Sequence, residues 1–104
     1  MIERGTTVVD MVVDVVGIDT VARIGLGANE RSAVINARAI SDTGAELVAR
    51  GIGLYVPEVG WTVHSACDAG CEMEMHNELQ LDFSITDPGT WAIHMRIMFV
   101  YESA

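Results

Sequence analysis

Residues 72–101 read EMEMHNELQLDFSITDPGTWAIHMRIMFVY, and apolar and polar side chains alternate along most of this stretch. Odd-numbered positions are mostly apolar and even-numbered positions are mostly polar. A period of two residues is the spacing of a β-strand that buries one face. The stretch therefore predicts two long half-buried strands, one over residues 72–86 and one over residues 91–102, separated by the loop Asp87-Pro88-Gly89.

Three Asp-x-Gly tripeptides interrupt alternating runs of this kind. They are Asp42-Thr43-Gly44, Asp68-Ala69-Gly70 and Asp87-Pro88-Gly89. A three-residue hairpin loop commonly ends in a residue at positive φ, which glycine adopts without strain, and an Asp side chain can bond nearby amides. Each tripeptide therefore predicts a hairpin. At the third, Pro88-Gly89 also fits a type II turn that would instead carry the chain from one sheet to the other.

The predicted hairpins determine which residues would lie opposite each other. Across the first loop, Ala39 is expected to face Leu47, and across the third, Asp82 is expected to face His94. Small residues mark one face of the first pair of strands: Ala37, Ala39, Ala49, Gly51 and Gly53. They allow close approach by either the other sheet or a neighbouring subunit.

Residues 6–16 fit either a strand or a helix. Six valines favour a strand, because β-branched side chains suit extended backbone, whereas Thr7, Asp10 and Asp14 would lie on one stripe of a helix. We interpret this segment as a strand and predict a further short strand over residues 18–26.

The composition is that of one compact domain. Half of the 104 residues are hydrophobic, which is enough to build a core, and low-complexity stretches are absent. About seven strands with turns at this spacing predict an all-β fold. We expect residues 1–104 to form a single antiparallel two-sheet sandwich, either immunoglobulin-like or a jelly roll.

The charge and its distribution exclude several partners and locations. The chain has fifteen acidic residues, six arginines and no lysine, so its formal net charge is −9. Such a surface repels nucleic acid and anionic membranes. Asp10 and Asp14 interrupt the first apolar run, so neither a secretory signal nor a membrane span is expected. A chain without lysine that is rich in Arg, Ala, Val and Gly is typical of a GC-rich genome.

Residues 79–100, LQLDFSITDPGTWAIHMRIMFV, resemble the late strands of immunoglobulin-like domains. In those domains an apolar strand leads into a Pro-Gly-Thr-aromatic corner and then into a long alternating strand. No cysteine pair stands at immunoglobulin spacing in this chain. Domains of this type recur in tailed-phage and other virion proteins and in surface adhesins, so the resemblance implies a structural or binding module without catalysis.

Four potential zinc ligands stand close together in HSACDAGCEMEMH: His64, Cys67, Cys71 and His76. Two thiolates and two imidazoles can hold zinc in a tetrahedron. A hairpin at residues 68–70 would, however, place the cysteines on the apolar side and the histidines on the polar side. We therefore expect no metal and no other cofactor. A disulfide between opposed cysteines is a further alternative, and reduced core thiols are the interpretation that we favour.

The histidines could instead serve acid–base catalysis, with Asp82 supporting His94 and Ser84 as a nucleophile. A strand face that alternates Glu, His, Gln and Asp is more typical of a solvated surface, so we do not predict an enzyme. The enzyme alternative is a hotdog-type thioesterase, because residues 37–51, ARAISDTGAELVARG, loosely resemble paired strands of that fold. That fold also requires a long central helix, for which no segment is suitable.

Apolar residues on both faces of the first and last strands predict association. Met98 and Val100 stand on the otherwise polar face of the last strand, and Val8, Val12 and Val16 share a face with aspartates. Strands that are apolar on both sides are usually covered on both sides. These five residues are the predicted interface.

The sequence thus predicts a homo-oligomeric structural subunit that also contacts other structural subunits of the same assembly. The predicted assembly is a virion formed in the host cytoplasm, with the chain as a capsid decoration or tail component of a phage of a GC-rich host. A carbohydrate- or protein-binding adhesion module is the remaining alternative.

Overall fold

The computed structural model describes the backbone of residues 3–16 and 20–103 and the side chains of residues 22–99. Its strands, in chain order, are β1 (Glu3–Val16), β2 (Thr20–Gly25), β3 (Ser32–Ser41), β4 (Glu46–Val56), β5 (Gly60–Cys67), β6 (Cys71–Met75), β7 (Gln80–Ile85) and β8 (Thr90–Ser103). The described residues contain no helix. Residues 6–16 lie in β1, so the interpretation of that segment as a strand is confirmed.

The strands form two antiparallel sheets. The five-stranded sheet has the order β1-β8-β3-β4-β5, and the three-stranded sheet has the order β2-β7-β6. β1 pairs with β8 in an uninterrupted register from Glu3 opposite Ser103 to Val16 opposite Thr90. Within the smaller sheet, β2 pairs with β7. The predicted all-β, two-sheet antiparallel sandwich is confirmed.

Residues 72–86 form two strands, and the prediction of a single long strand there was wrong. β6 and β7 pair as a hairpin in which Met73 lies opposite Phe83, with the turn at residues 76–79. In this register odd-numbered residues pair with odd-numbered ones, so the apolar period of two continues unchanged through the turn. The pattern therefore could not reveal the reversal, which accounts for the additional strand.

The loop Asp42-Thr43-Gly44 makes the predicted hairpin between β3 and β4. Ala39 lies opposite Leu47, as expected from the loop length. Gly44 has a φ of +89°, in the left-handed region that favours glycine.

The other two Asp-x-Gly loops cross between the sheets. Asp68-Ala69-Gly70 leads from β5 to β6, and Asp87-Pro88-Gly89 leads from β7 to β8. Their glycines also have positive φ, +104° at Gly70 and +135° at Gly89. The crossings are joined, because the backbone amide of Thr86 donates to the carbonyl oxygen of Gly70 at 2.9 Å.

The crossings correct two predicted pairings. Asp82 and His94 lie in different sheets, so they are not cross-strand partners. Cys67 and Cys71 also end up in different sheets and do not face each other in a hairpin. The alternative in which Pro88-Gly89 carries the chain between sheets is confirmed. Loop sequence determines the backbone angles of a reversal, whereas the packing of two apolar faces decides which sheet the next strand joins.

The core fills the space between the two inner faces. Four aromatic residues are buried in it: Trp61, Phe83, Trp91 and Phe99. The indole Nε1 of Trp61 donates to the carbonyl oxygen of Gly27 at 2.7 Å, and its ring meets the Phe99 ring edge-on at 6.1 Å between centroids. Burial of the rings stabilises the sandwich, and the indole hydrogen bond satisfies the polar atom that is buried with them.

Small residues on β4 make room for other parts of the same subunit. A Cβ atom at Gly51 would lie 3.0 Å from Met73 Sδ in the other sheet, and one at Gly53 would lie 3.2 Å from Cε3 of Trp61. The close approach predicted from the small residues is therefore made by the other sheet and by the adjoining strand.

Candidate functional site

The four potential zinc ligands are dispersed by the fold. His64 is exposed on the outer face of the five-stranded sheet, whereas His76 is exposed in the turn between β6 and β7. Cys67 is half-buried and Cys71 is buried where the chain crosses between the sheets. Among the residues that the structure describes, no three His, Cys, Asp or Glu side chains are placed to hold a metal ion.

Both cysteines are free thiols, as in the interpretation favoured from sequence. Cys71 is 6% exposed, and its Sγ donates to the carbonyl oxygen of Asp68 at 3.3 Å. Burial raises the pKa of Cys71 to about 12, with a further contribution from Cys67. Burial also raises the pKa of Cys67. Neutral thiols are poor nucleophiles and poor metal ligands, so these two residues act as packing residues at the crossing.

Asp82 has partners that its predicted pairing did not include. Arg23 Nε donates to Asp82 Oδ1 at 2.9 Å, and His76 Nδ1 lies 3.5 Å from Asp82 Oδ2. The hydrogen bond from Arg23 lowers the pKa of Asp82 below its ordinary value. Because the carboxylate is engaged by an arginine, the group is a surface ion-pair cluster on the three-stranded sheet.

We call the outer face of the five-stranded sheet the broad face. A continuous apolar cluster lies on it. Its members, each 40–60% exposed, are Val34, Ile52, Leu54, Val56 and Met98. Val34 is the register partner of both Ile52 and Met98, so side chains from β8, β3 and β4 form one row. Because exposed aliphatic side chains adjoin one another here, the broad face is the candidate functional surface.

Arginines cross the middle of the same face. Asn36 is the register partner of Arg96 on one side and of Arg50 on the other. We call Arg96, Asn36 and Arg50 the arginine row. Arg38, one ladder position along, bonds Glu46 at 2.9 Å. The broad face is thus cationic at its centre, on a chain whose net charge is −9.

The broad face has two shallow hollows. One, of about 460 Å³, is bounded by Val34, Arg50, Gly51, Ile52 and His64 among others. The second, of about 250 Å³, is bounded by Asn36, Arg38, Arg50, His94 and Arg96 among others. Arg50 lies between them and has no hydrogen-bond or ion-pair partner among the described residues. The hollows combine aliphatic walls with cationic groups, so they suit a partner that presents both an aliphatic side chain and a carboxylate.

An exposed tip lies between β4 and β5. We use the name tip for residues 57–59, Pro57-Glu58-Val59. Val59 is 65% exposed, more than any other large apolar residue among those described. Glu58 has a φ of +71°, and it is the sole residue other than glycine with positive φ in the described part of the chain.

The predicted interface residues are partly placed by this arrangement. Met98 is a member of the apolar cluster. The side chains of Val8, Val12, Val16 and Val100 lie outside the described residues. Their backbone register places Val8 opposite Met98 and Val12 opposite His94.

Sequence reasoning missed the central strands of this face. Residues 52, 54 and 56 of β4 alternate with inward residues just as Met98 does in β8, so the same two-sided apolar pattern was present there. The inward positions 51 and 53 of β4 are glycines, so the inner side of this strand carries little apolar side chain. The sequence of β4 therefore did not show clearly that both of its sides are apolar.

The described part of the chain has no helix of the length and hydropathy needed to cross a membrane. Comparison of the chain with protein-family models, with curated proteins and with solved structures gives no match.

Proposed function

We propose that the protein is a non-catalytic structural subunit of a larger protein assembly and that the broad face is its principal contact surface. The observation that carries this proposal is the apolar cluster, in which five large side chains adjoin one another at 40–60% exposure. Covering such a surface is worth about 25 cal/mol for each Å² of apolar area removed from water.

The distribution of charge supports the same function. A net charge of −9 keeps separate copies soluble and apart, while the arginine row gives the contact surface the opposite sign. Electrostatic complementarity of this kind guides association and selects against wrong partners.

A virion is the assembly that we propose, with the protein as a capsid decoration or tail component of a phage of a GC-rich host. The support is the sandwich fold together with the resemblance of residues 79–100 to immunoglobulin-like modules of virion proteins. A hotdog-type enzyme is not proposed, since the described residues lack the central helix that fold requires.

Sedimentation velocity over a concentration series, with negative-stain imaging, tests the proposal. We expect concentration-dependent assembly by the wild type and its loss in Ile52→Asp, because the substitution places a charge within the apolar cluster. Ala69→Asp is the matched control, since it adds the same charge at an exposed loop position.

Mass spectrometry of purified particles from the native source tests the virion assignment, and we expect the protein there in a fixed ratio to other particle proteins. Monomeric behaviour at every concentration, together with absence from the particles, would refute the proposed function.

A further inference from the structure

We infer that copies of this chain assemble head to tail, with the tip of one copy seated in the larger hollow of the broad face of the next. The inference rests on the proposed function and adds the geometry of the contact. Its elements are the tip, residues 57–59, and the hollow beside Arg50.

A symmetric contact of two broad faces is disfavoured by their charge. The arginine row crosses the centre of the sheet, so a two-fold axis through the face would bring the arginines of both copies together. Asp10 in β1 is the register partner of Arg96, and Glu46 bonds Arg38. Among the described side chains of the broad face, Arg50 is the cation that is left to engage a partner, and it requires an acidic group from a different surface.

The tip supplies an acidic group together with an aliphatic one. Glu58 is adjacent to Val59, whose side chain is 65% exposed. Pro57 restricts the backbone, and the amide of Val59 donates to the carbonyl oxygen of Val56 at 3.0 Å, which closes the turn. Glu58 has a φ of +71°, a backbone conformation that costs free energy in residues other than glycine. The tip is therefore a preorganised projection rather than a flexible loop.

The hollow is complementary to those two side chains. Val34 and Ile52 provide an aliphatic wall for Val59, and Gly51 also lines the hollow. Arg50 stands at its margin and can donate to a carboxylate, giving a charge-assisted hydrogen bond with Glu58 of the incoming copy. His64 also lines the hollow.

A contact between two different surfaces of the same chain propagates. Each copy offers one tip and one larger hollow, so successive copies form a closed ring if the rotation returns to the start and a filament if it does not. Either outcome is the repetitive architecture of a virion component.

Charge exchange tests this geometry. Sedimentation velocity would compare the wild type with Arg50→Glu, with Glu58→Arg and with an equimolar mixture of the two, after circular dichroism has shown that each is folded. We expect each single variant to assemble about tenfold more weakly or worse. The mixture should recover assembly, because each tip then meets a hollow of opposite charge. Glu74→Arg, on the three-stranded sheet, is the matched control and should assemble as the wild type does.

The outcomes separate this inference from the proposed function. If the wild type assembles and Glu58→Arg assembles equally well, or if the mixture is no better than its components, the head-to-tail contact is wrong and the subunit function stands. If Val59→Ser also leaves assembly unchanged, the tip has no part in it. A wild type that remains monomeric overturns both.

Discussion

Cys71 is buried with its Sγ against the carbonyl oxygen of Asp68, so its chemistry is determined by the crossing between the sheets. Only the thiolate is nucleophilic, and a pKa of about 12 leaves very little of it near pH 8. We expect iodoacetamide to alkylate Cys67 and Cys71 slowly in the folded protein and rapidly in denaturant. Cys67→Ser isolates the reaction of Cys71, and rapid alkylation of that folded variant would contradict the buried environment.

The same pKa predicts a loss of stability at alkaline pH. Folding raises the pKa of Cys71 from the ordinary thiol value of about 8.5, so the folded state holds its proton more tightly than the unfolded state does. The contribution to stability is complete below that value and declines as the pH rises towards 12. Urea unfolding at pH 8 and pH 10 should show a smaller decline for Cys71→Ala than for the wild type.

Asp82 should make the opposite contribution at acidic pH. Its pKa is lowered by the hydrogen bond from Arg23, so its contribution to stability is present at neutral pH and is lost as the pH falls through the lowered value. We expect Asp82→Asn to lower the urea midpoint at pH 7 and to match the wild type at strongly acidic pH. Glu74→Gln, on the same sheet, is the control. A pH-independent difference between wild type and variant would show that the ion pair is not responsible.

Gly60 and Gly44 both have positive φ, but they differ in their surroundings. A Cβ at Gly60 would lie 2.7 Å from the carbonyl oxygen of Glu78, whereas a Cβ at Gly44 meets nothing within 4 Å. We expect Gly44→Ala to cost about 1–2 kcal/mol from backbone strain alone and Gly60→Ala to cost about 3 kcal/mol or more. Equal losses in urea unfolding would show that the backbone near Glu78 yields.

At the scale of the strand, the two sides of β4 differ in their roles: the inner side packs in the core and the outer side is part of the apolar cluster. Its inner side is small so that Trp61 and the other sheet can pack closely, and its outer side carries apolar cluster residues. A larger side chain at Gly53 would have to displace Trp61, whose indole is held by Gly27. We expect Gly53→Val to cost about 1–3 kcal/mol and to shift the tryptophan emission to the red. Thr62→Val, exposed on the neighbouring strand, should leave both unchanged.

The elements were predicted from sequence more accurately than their connections. Alternation identified the strands because burial of one face imposes a period of two residues. It could not locate the turn at residues 76–79, since the register of β6 and β7 preserves that period. The Asp-x-Gly loops gave positive φ correctly at all three glycines. The hairpin predicted at residues 68–70 was wrong, and at residues 87–89 the alternative of a crossing between sheets was confirmed, because a local turn does not encode which sheet follows.

At the scale of the whole molecule, the broad face is a product of strand order. Met98 and Ile52 are far apart in the chain, and each becomes a neighbour of Val34 only when β8 and β4 pair with β3. Met98, one of the residues in the predicted interface, lies in the apolar cluster, and association itself stays a prediction. The apolar cluster and the arginine row were not predicted from the sequence. Both depend on the pairing of β8 with β3, whereas the sequence analysis paired β8 with β7.

The ladder between β1 and β8 has a consequence for how the protein is made. Glu3 pairs with Ser103, and β8 lies between β1 and β3, so the larger sheet cannot close until β8 has been translated. Translation proceeds at about 5–20 residues per second, so β8 is synthesised roughly 5–20 s after β1. Such long-range pairing is also slow to form once both strands have been synthesised, because distant segments must meet before any contact stabilises them. Nascent copies on one messenger would expose unpaired edges to each other during that interval, which makes the co-translational period the time of greatest aggregation risk.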